Sequence, residues 1–120
     1  MKKSDIKNYM IVETAHDDCK YIVMKGSVVD DNLEGFSLND FDENLVHKKE
    51  KFYSISKVYE PVKLSFPFEL NVEDIFKKQN PRLLWKRKPT PISKKVLDSM
   101  NKEQMQKYLS EIVYPCVIVE

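Results

Sequence analysis

The chain has 120 residues, of which 42% are hydrophobic and 32% charged, and its formal net charge is +1. This length and composition fit one globular domain spanning residues 1–120 and exclude an intrinsically disordered chain. Two glycines exclude the glycine-rich phosphate loops of nucleotide-binding proteins. Since no apolar run approaches the ~18 residues of a membrane helix, we expect a cytoplasmic protein that makes no membrane contact.

Two apolar runs near the start of the chain predict an antiparallel hairpin. Residues 9–14 (YMIVET) and 21–25 (YIVMK) have strand-like composition, and six residues separate them. Gly26 and the polar residues after it end the second strand or begin a third. Phe36 and Leu38 lie two positions apart, which predicts a short strand before an acidic loop.

The most regular strand pattern lies within residues 57–70. Apolar residues occupy every second position there: Val62, Leu64, Phe66, Phe68 and Leu70. This period predicts a strand with one apolar face, and Pro67 predicts that the strand is bulged or lies at an edge. Residues 52–59 are rich in aromatic and β-branched types, which predicts another strand that Pro61 ends.

The second half of the chain predicts a short helix and a strand. Asn71 is a good N-cap for residues 72–79, which have acids in the first turn and lysines in the last. Asn80 and Pro81 end this helix. Residues 82–85 (RLLW) predict a short strand, and residues 89–91 (PTP) predict a stiff connector.

Capping residues predict two further helices near the end of the chain. Ser93 can cap a helix, and Asn101 with Gln104 resembles a capping box, which predicts a break at residues 100–102. Met100, Met105 and Tyr108 fall at helical spacing, and we interpret them as core residues rather than a partner groove. Residues 116–119 (CVIV) predict a terminal strand.

Together these elements predict an α+β fold. Residues 9–70 are expected to form a small antiparallel sheet, twisted or barrel-like, and residues 71–120 a mixed helix and strand part. A C-terminal helix is expected to pack on the sheet, and the short terminal strand is expected to return to it.

Short blocks spread over about two thirds of the chain resemble small uncharacterised proteins of phages and prophages of Gram-positive bacteria. The matching residues are Met10, Val12, Glu13, Thr14, Lys20, Tyr21, Val23, Ser37, Leu38, Phe41, Leu45, Val58, Tyr59, Trp85 and Arg87. The resemblance implies an SH3-like or partly open barrel in the N-terminal part and a non-catalytic accessory protein of a mobile element. The first turn, AHDDC, departs from the tight turn of those proteins, and residues 61–81 have no counterpart in them.

A basic block lies between Asp74 and Asp98, where acids are absent. Its members are Lys77, Lys78, Arg82, Lys86, Arg87, Lys88, Lys94 and Lys95, with Trp85 among them. These residues could bind phosphates or an acidic partner, with Trp85 stacking on a base or anchoring an interface. The alternative is a solvated charged face with Trp85 in the core.

An acidic block lies between Lys25 and His47. Its members are Asp30, Asp31, Glu34, Asp40, Asp42 and Glu43. Part of it matches the start of a calcium-binding EF-hand loop, but Phe41 stands where the loop needs a bidentate glutamate. We therefore expect these acids to keep the loops soluble, or to mimic nucleic-acid phosphates for a protein partner, instead of binding calcium.

Residues that could support metal binding or catalysis are few. His16 and Cys19 have the spacing of half a zinc site, but His47 and Cys116 are the remaining ligands of that kind in the sequence. A Cys19–His47 pair lacks a recognisable protease signature around it. We expect neither metal nor cofactor, and no enzymatic activity.

The sequence favours a non-enzymatic phage or mobile-element protein that binds and inhibits a host protein, plausibly of a defence system. Opposed charge blocks would supply steering and specificity. A nucleic-acid-binding module that uses residues 77–95 is the first alternative, and a protein that sequesters a small molecule or nucleotide is the second. The oligomeric state stays open.

Overall fold

The structure is a computed structural model that describes residues 1–16, 19–65 and 69–120. Its strands are β1 (Met10–Thr14), β2 (Lys20–Met24), β3 (Ser27–Val29), β4 (Gly35–Ser37), β5 (Ile55–Pro61), β6 (Leu83–Lys86), β7 (Thr90–Ser93) and β8 (Cys116–Val119). Its helices are α1 (Val72–Gln79), α2 (Lys94–Asp98) and α3 (Lys102–Glu111), with short 3₁₀ turns at Lys3–Asp5, Leu38–Asp40 and Lys51–Tyr53. The molecule is elongated, with principal extents of 56 × 24 × 24 Å.

The six N-terminal strands form one antiparallel sheet. Its hydrogen-bonded order is β4-β3-β2-β1-β5-β6. The predicted hairpin is confirmed, with Ile11 opposite Ile22 and Glu13 opposite Lys20. β1 lies inside the sheet and all five of its residues are buried, Glu13 and Thr14 included.

Helix α1 covers one face of the sheet. Val72 is buried against Ile11 and Ile22, and Ile75 and Phe76 pack beside them. The predicted cap is confirmed, because the Asn71 side chain accepts a hydrogen bond from the Asp74 N–H at 3.0 Å. The carboxylate of Asp31 accepts a second bond, from the Val72 N–H at 2.8 Å, so the β3–β4 loop also holds the start of the helix.

The other face is covered by loops and 3₁₀ turns. Phe41 and Leu45 are fully buried against Val12 and Val58 of the two central strands. Met1, Ile6, Phe36, Leu38 and Trp85 pack around this cluster and are partly buried. Trp85, whose position the sequence left open, therefore lies half-buried at the border of the core.

The predicted strand over residues 57–70 is wrong in its second half. β5 ends at Pro61, and residues 62–65 and 69–70 are not in a strand. Phe66, Pro67 and Phe68 lie outside the described residues. The alternation still marks burial, because Val62 is in the core and Leu64 and Leu70 pack beside it under α1. A segment that crosses over a sheet face can bury alternate residues without joining the sheet.

The C-terminal part also departs from the prediction. The capping at Ser93 and the Asn101–Gln104 capping box are confirmed, with a break between α2 and α3. Neither helix has a fully buried residue. Met100, in the break between the helices, and Met105 and Tyr108 of α3 are only half-buried, and α3 contacts the Lys51–Tyr53 turn. The sheet-covering role expected of a C-terminal helix belongs to α1.

The last strand does not return to the antiparallel sheet. β8 pairs in parallel with β7, with Pro91 opposite Val117, and the two form a separate two-stranded sheet. Residues 90–91 of the predicted connector therefore belong to a strand. The α+β class is confirmed, with an antiparallel sheet that ends in the open edges β4 and β6, a helical C-terminal segment and a short terminal strand. Across the described ranges, no helix has the length and apolar character needed to span a membrane.

Candidate binding cleft

A cleft of about 220 Å³ lies where β1 and β6 end and β5 begins, beside the C-terminal segment. It is lined by Glu13, Thr14, Ala15, Ser56, Lys57, Lys86, Arg87 and Pro115. Strand pairing brings these residues together, since Lys57 lies opposite Glu13 on one side and opposite Lys86 on the other. Three cationic side chains and one carboxylate meet here, so the cleft is net positive.

Glu13 is the one acid of the cleft and is held by its neighbours. Its Oε2 accepts a hydrogen bond from the Tyr59 hydroxyl at 2.6 Å and lies 3.9 Å from the ammonium of Lys57. The Glu13 side chain is only 11% exposed. A buried carboxylate needs such partners, and these two fix its position at the cleft floor.

Arg87 lines the cleft, but its guanidinium is directed into the fold. Nε donates to the Ile55 carbonyl at 3.0 Å, and Nη2 donates to the Asn44 carbonyl at 2.8 Å. The guanidinium carbon also lies 5.0 Å from the Trp85 ring centre, a cation–π distance. Burial lowers the pKa of Arg87, and the charge of Asp42 acts in the opposite direction. Arg87 therefore joins β5, β6 and the loop at Asn44.

Lys57 and Lys86 are the cations left to meet a ligand. Lys86 is exposed, and within the described residues it has no carboxylate as an ion-pair partner. Lys57 is 37% exposed and shares Glu13 with Tyr59. A ligand carboxylate placed between the two ammonium groups would gain two charge-assisted hydrogen bonds. The apolar ring of Pro115 also lines the cleft.

Tyr59 makes the stability of this region depend on alkaline pH. Burial, followed by the hydrogen bond to Glu13 and the charge of Glu13, raises the pKa of Tyr59 above its ordinary value of 10.0. In the unfolded chain this tyrosine ionises near pH 10, whereas the folded protein keeps it protonated. The folded state therefore binds more protons above that pH, and the free energy of unfolding falls as pH rises.

We expect Tyr59→Phe to make this alkaline loss of stability shallower. Urea unfolding of both proteins at about pH 9 and about pH 11 measures the difference. Tyr114→Phe is the comparison variant. Burial also raises the pKa of Tyr114, but Glu13 is not among the causes of that shift. An equal alkaline slope in wild type and Tyr59→Phe would contradict the role given to Tyr59.

The structure divides the basic block among different parts of the molecule. Lys77 and Lys78 lie in the last turn of α1, and Arg82 lies before β6, whereas Lys86, Arg87 and Lys88 lie at the other end of that strand. A four-residue strand separates the two groups by roughly 13 Å. Lys94 and Lys95 begin α2. Only Lys86 and Arg87 of this block line the cleft, together with Lys57 from outside the block.

Two cations of the first group have acidic neighbours. The ammonium of Lys78 lies 3.1 Å from the Asp74 carboxylate, and Arg82 Nε lies 3.9 Å from the carboxylate of Glu60. Lys77, Lys88, Lys94 and Lys95 are exposed and have no ion-pair partner among the described residues. The basic block is thus not one continuous cationic surface.

Most residues of the acidic block have local structural contacts. Asp30 accepts hydrogen bonds from the Asn32 and Glu34 N–H groups at 2.9 and 3.1 Å and so closes the β3–β4 turn. Asp42 does the same for Asn44 and Val46, at 2.8 and 3.1 Å.

The remaining acids are divided between capping and the surface. Asp40 completes a capping box with Ser37, and Asp31 caps α1. Glu43 lies 4.0 Å from the Lys3 ammonium at the surface. Asp30, Asp31, Asp40 and Asp42 thus support local structure, while Asp31, Glu34, Asp40 and Glu43 remain exposed to solvent.

The residues considered for metal binding or catalysis lie apart. His16 packs against the rings of Phe52 and Tyr53, whose centres each lie 5.1 Å from the imidazole centre. His47 is buried, and its Nδ1 accepts hydrogen bonds from the N–H groups of Lys49 and Glu50. Phe41, at the EF-hand glutamate position, is fully buried. Within residues 1–16, 19–65 and 69–120, no three metal-ligating side chains come together.

Sequence reasoning missed Glu13, Ser56, Lys57 and Pro115 as site residues. The available signal was a single acid inside an otherwise apolar strand, since a buried carboxylate requires a cationic or hydroxyl partner. The identity of that partner depended on the register between β1 and β5, which includes bulges.

Comparison of the chain with protein-family models, with curated proteins and with solved structures found no match in any of the three.

Proposed function

We propose that this chain is a non-enzymatic binding protein whose cleft receives an acidic side chain of a protein partner. The observation that carries the proposal is that Lys57 and Lys86, paired across β5 and β6, line one cleft together with the apolar ring of Pro115. Glu13 and Tyr59 hold Lys57 and the cleft floor in position, so the ligand carboxylate would find an arranged pair of cations.

The geometry favours an acidic protein over the two alternative ligands. Nucleic acid would need a continuous cationic track, and here the cations are divided along the molecule. For a small molecule, this cleft of about 220 Å³ is below the ~300 Å³ at which such pockets usually begin. One carboxylate side chain is of suitable size.

The resemblance to small phage and prophage proteins supports an accessory protein of a phage or mobile element. We therefore extend the proposal to a partner in the bacterial host cytoplasm, a defence-system protein that is inhibited when its acidic segment is occupied. Inhibition by occupation needs binding energy and specificity at an interface and no chemical step.

Binding of a fluorescently labelled glutamate-rich peptide, measured by anisotropy at low salt, tests the ligand class. We expect Lys57→Gln combined with Lys86→Gln to weaken binding about tenfold, since each lost charge pair costs roughly 0.5–1 kcal/mol. The matched control is Lys77→Gln combined with Lys94→Gln, which removes the same charge outside the cleft and should change affinity less than about twofold.

Two outcomes would contradict the proposal. One is equal weakening by both double variants, which would mean that net charge alone drives binding. The other is tight binding of duplex DNA with a steep loss of affinity on adding salt, which would favour the nucleic-acid alternative.

A further inference from the structure

The terminal strand β8 is apolar on both of its faces and is exposed. Val117 is 46% exposed, Ile118 61% and Val119 42%. Successive residues of a strand point to opposite faces, so neither face of β8 is covered. Strands with apolar residues on both faces, and parallel pairs in general, normally lie inside a sheet that is buried on both sides.

The other three edge strands carry features that discourage further strand pairing. β4 has three residues and includes Gly35 and Ser37, and β6 ends in the exposed Lys86. β7 contains Pro91, which has no N–H to donate. β8 has neither a charged residue nor a proline between Cys116 and Val119, so it lacks the usual protection of an edge.

The direction of the backbone groups identifies the open edge. The Thr90 N–H donates to the Pro115 carbonyl at 2.9 Å, so residues 115, 117 and 119 point their backbone groups towards β7. Cys116 and Ile118 therefore point theirs away from β7. By the same alternation, Pro91 lies on the outer side of β7, which blocks strand addition there.

We propose that β8 pairs antiparallel with β8 of a second copy of this chain, centred on Ile118. The two-stranded sheets would join as β7-β8-β8-β7, with a proline-blocked strand at each end. This arrangement is a closed twofold dimer and not an open fibre. On both faces of each β8, apolar side chains would then lie beside apolar side chains of the partner copy's β8.

Charge favours the antiparallel arrangement. In the register centred on Ile118, Glu120 of each copy lies opposite Cys116 of the other, so the two glutamates are roughly 13 Å apart. A parallel pairing would place the two Glu120 side chains side by side, where like charges repel. Four-residue strands bury much less than the ~1,200 Å² of a standard interface, so the dimer should dissociate in the micromolar range or more weakly.

Sedimentation velocity over a range of protein concentrations tests the proposal. The average mass of the wild type should rise from one chain towards two with concentration. Ile118→Lys should keep the protein at the mass of one chain. Leu84→Lys, on the edge strand β6, makes the same change at a residue that is 39% exposed, and should leave self-association unchanged.

A cross-link keeps the test decisive if Ile118→Lys fails to fold. Opposed residues in a hydrogen-bonded antiparallel pair have Cα atoms about 5.5 Å apart, within disulfide range. In a Cys19→Ser, Cys116→Ser background, Ile118→Cys should form a disulfide-linked dimer on mild oxidation, and Leu84→Cys should not. The proposal would be overturned if the wild type kept the mass of one chain at all concentrations, or if Ile118→Cys formed no selective cross-link. In that case the edge of β8 would be free to pair with a strand of another protein.

Discussion

Replacing Phe41 with alanine should lower the free energy of unfolding by about 3–5 kcal/mol, the usual cost of removing a buried aromatic side chain. Phe41 is fully buried, and its ring packs edge-on against Phe36 at 6.0 Å and His47 at 5.2 Å between ring centres. It anchors the loop that covers one face of the sheet. Urea denaturation at neutral pH measures the loss.

Leu84→Ala is the comparison for this prediction. Leu84 is 39% exposed on the edge strand β6, so its truncation should cost under about 1 kcal/mol. If Phe41→Ala costs no more than Leu84→Ala, then the loop at residues 38–47 is not part of the core, contrary to the fold described above.

Replacing Arg87 with methionine should cost about 2–4 kcal/mol of stability. Methionine keeps much of the side-chain volume but removes both donors, leaving the carbonyls of Ile55 and Asn44 without their charged partner. Arg87→Lys should restore only part of the loss, since one ammonium cannot reproduce the fork of a guanidinium.

Lys86→Met is the matched control for Arg87, because Lys86 is the preceding residue, is exposed and has no ion-pair partner within the described part of the chain. We expect it to change stability by less than about 0.5 kcal/mol. Thermal or urea unfolding compares the two variants. Equal, small effects would mean that Arg87 is a surface cation available to ligands and not a structural tie.

Because Arg87 supports the fold, it should not be grouped with the exposed lysines when the basic block is mutated. A combined substitution of Lys86, Arg87 and Lys88 would mix a loss of fold stability with a loss of charge. The same holds for Asp40, Asp42 and Glu43, since Asp42 closes a turn and Asp40 completes a cap. Pairs chosen from Lys57, Lys77, Lys86 and Lys94 avoid the hydrogen bonds of Arg87, Asp40 and Asp42.

Features fixed by near neighbours in the sequence could be predicted. The structure confirms the Asn71 cap, the order of charges along α1 and the Asn101–Gln104 capping box. Each of these features involves residues that are close together in the sequence. The first hairpin follows from two apolar runs and a short connection. In each case local chemistry and tertiary packing favour the same structure.

Features that depend on distant pairing could not be predicted in the same way. The period of two predicted that Val62, Leu64 and Leu70 would be at least partly buried, but it did not predict that they lie outside the sheet. Nothing local marks Arg87 as a residue that ties distant parts of the chain together, because its acceptors are 32 and 43 residues away. The parallel pairing of β7 with β8 joins residues 26 positions apart, Thr90 to Cys116.

The candidate cleft also depends on pairing between residues that are distant in sequence. Glu13, Lys57 and Lys86 come together only through the β1–β5–β6 register, which shifts at bulges that the sequence does not reveal. The basic block included Lys86, which lines the cleft, but it also included Lys77 and Lys78 of α1 and Arg82 before β6. The charge pattern therefore marked one of the two cleft lysines, whereas Lys57 and Glu13 join it only through strand pairing.

An NMR titration of isotope-labelled protein with a glutamate-rich peptide shows where an acidic ligand binds, because each backbone amide is observed separately. We expect the largest shift changes on Thr14, Ser56, Lys57 and Lys86, with little change in α1 or α2. Largest changes at Lys77–Lys78 or at Lys94–Lys95, or no change at any concentration of peptide, would contradict the assignment of the cleft as the binding site.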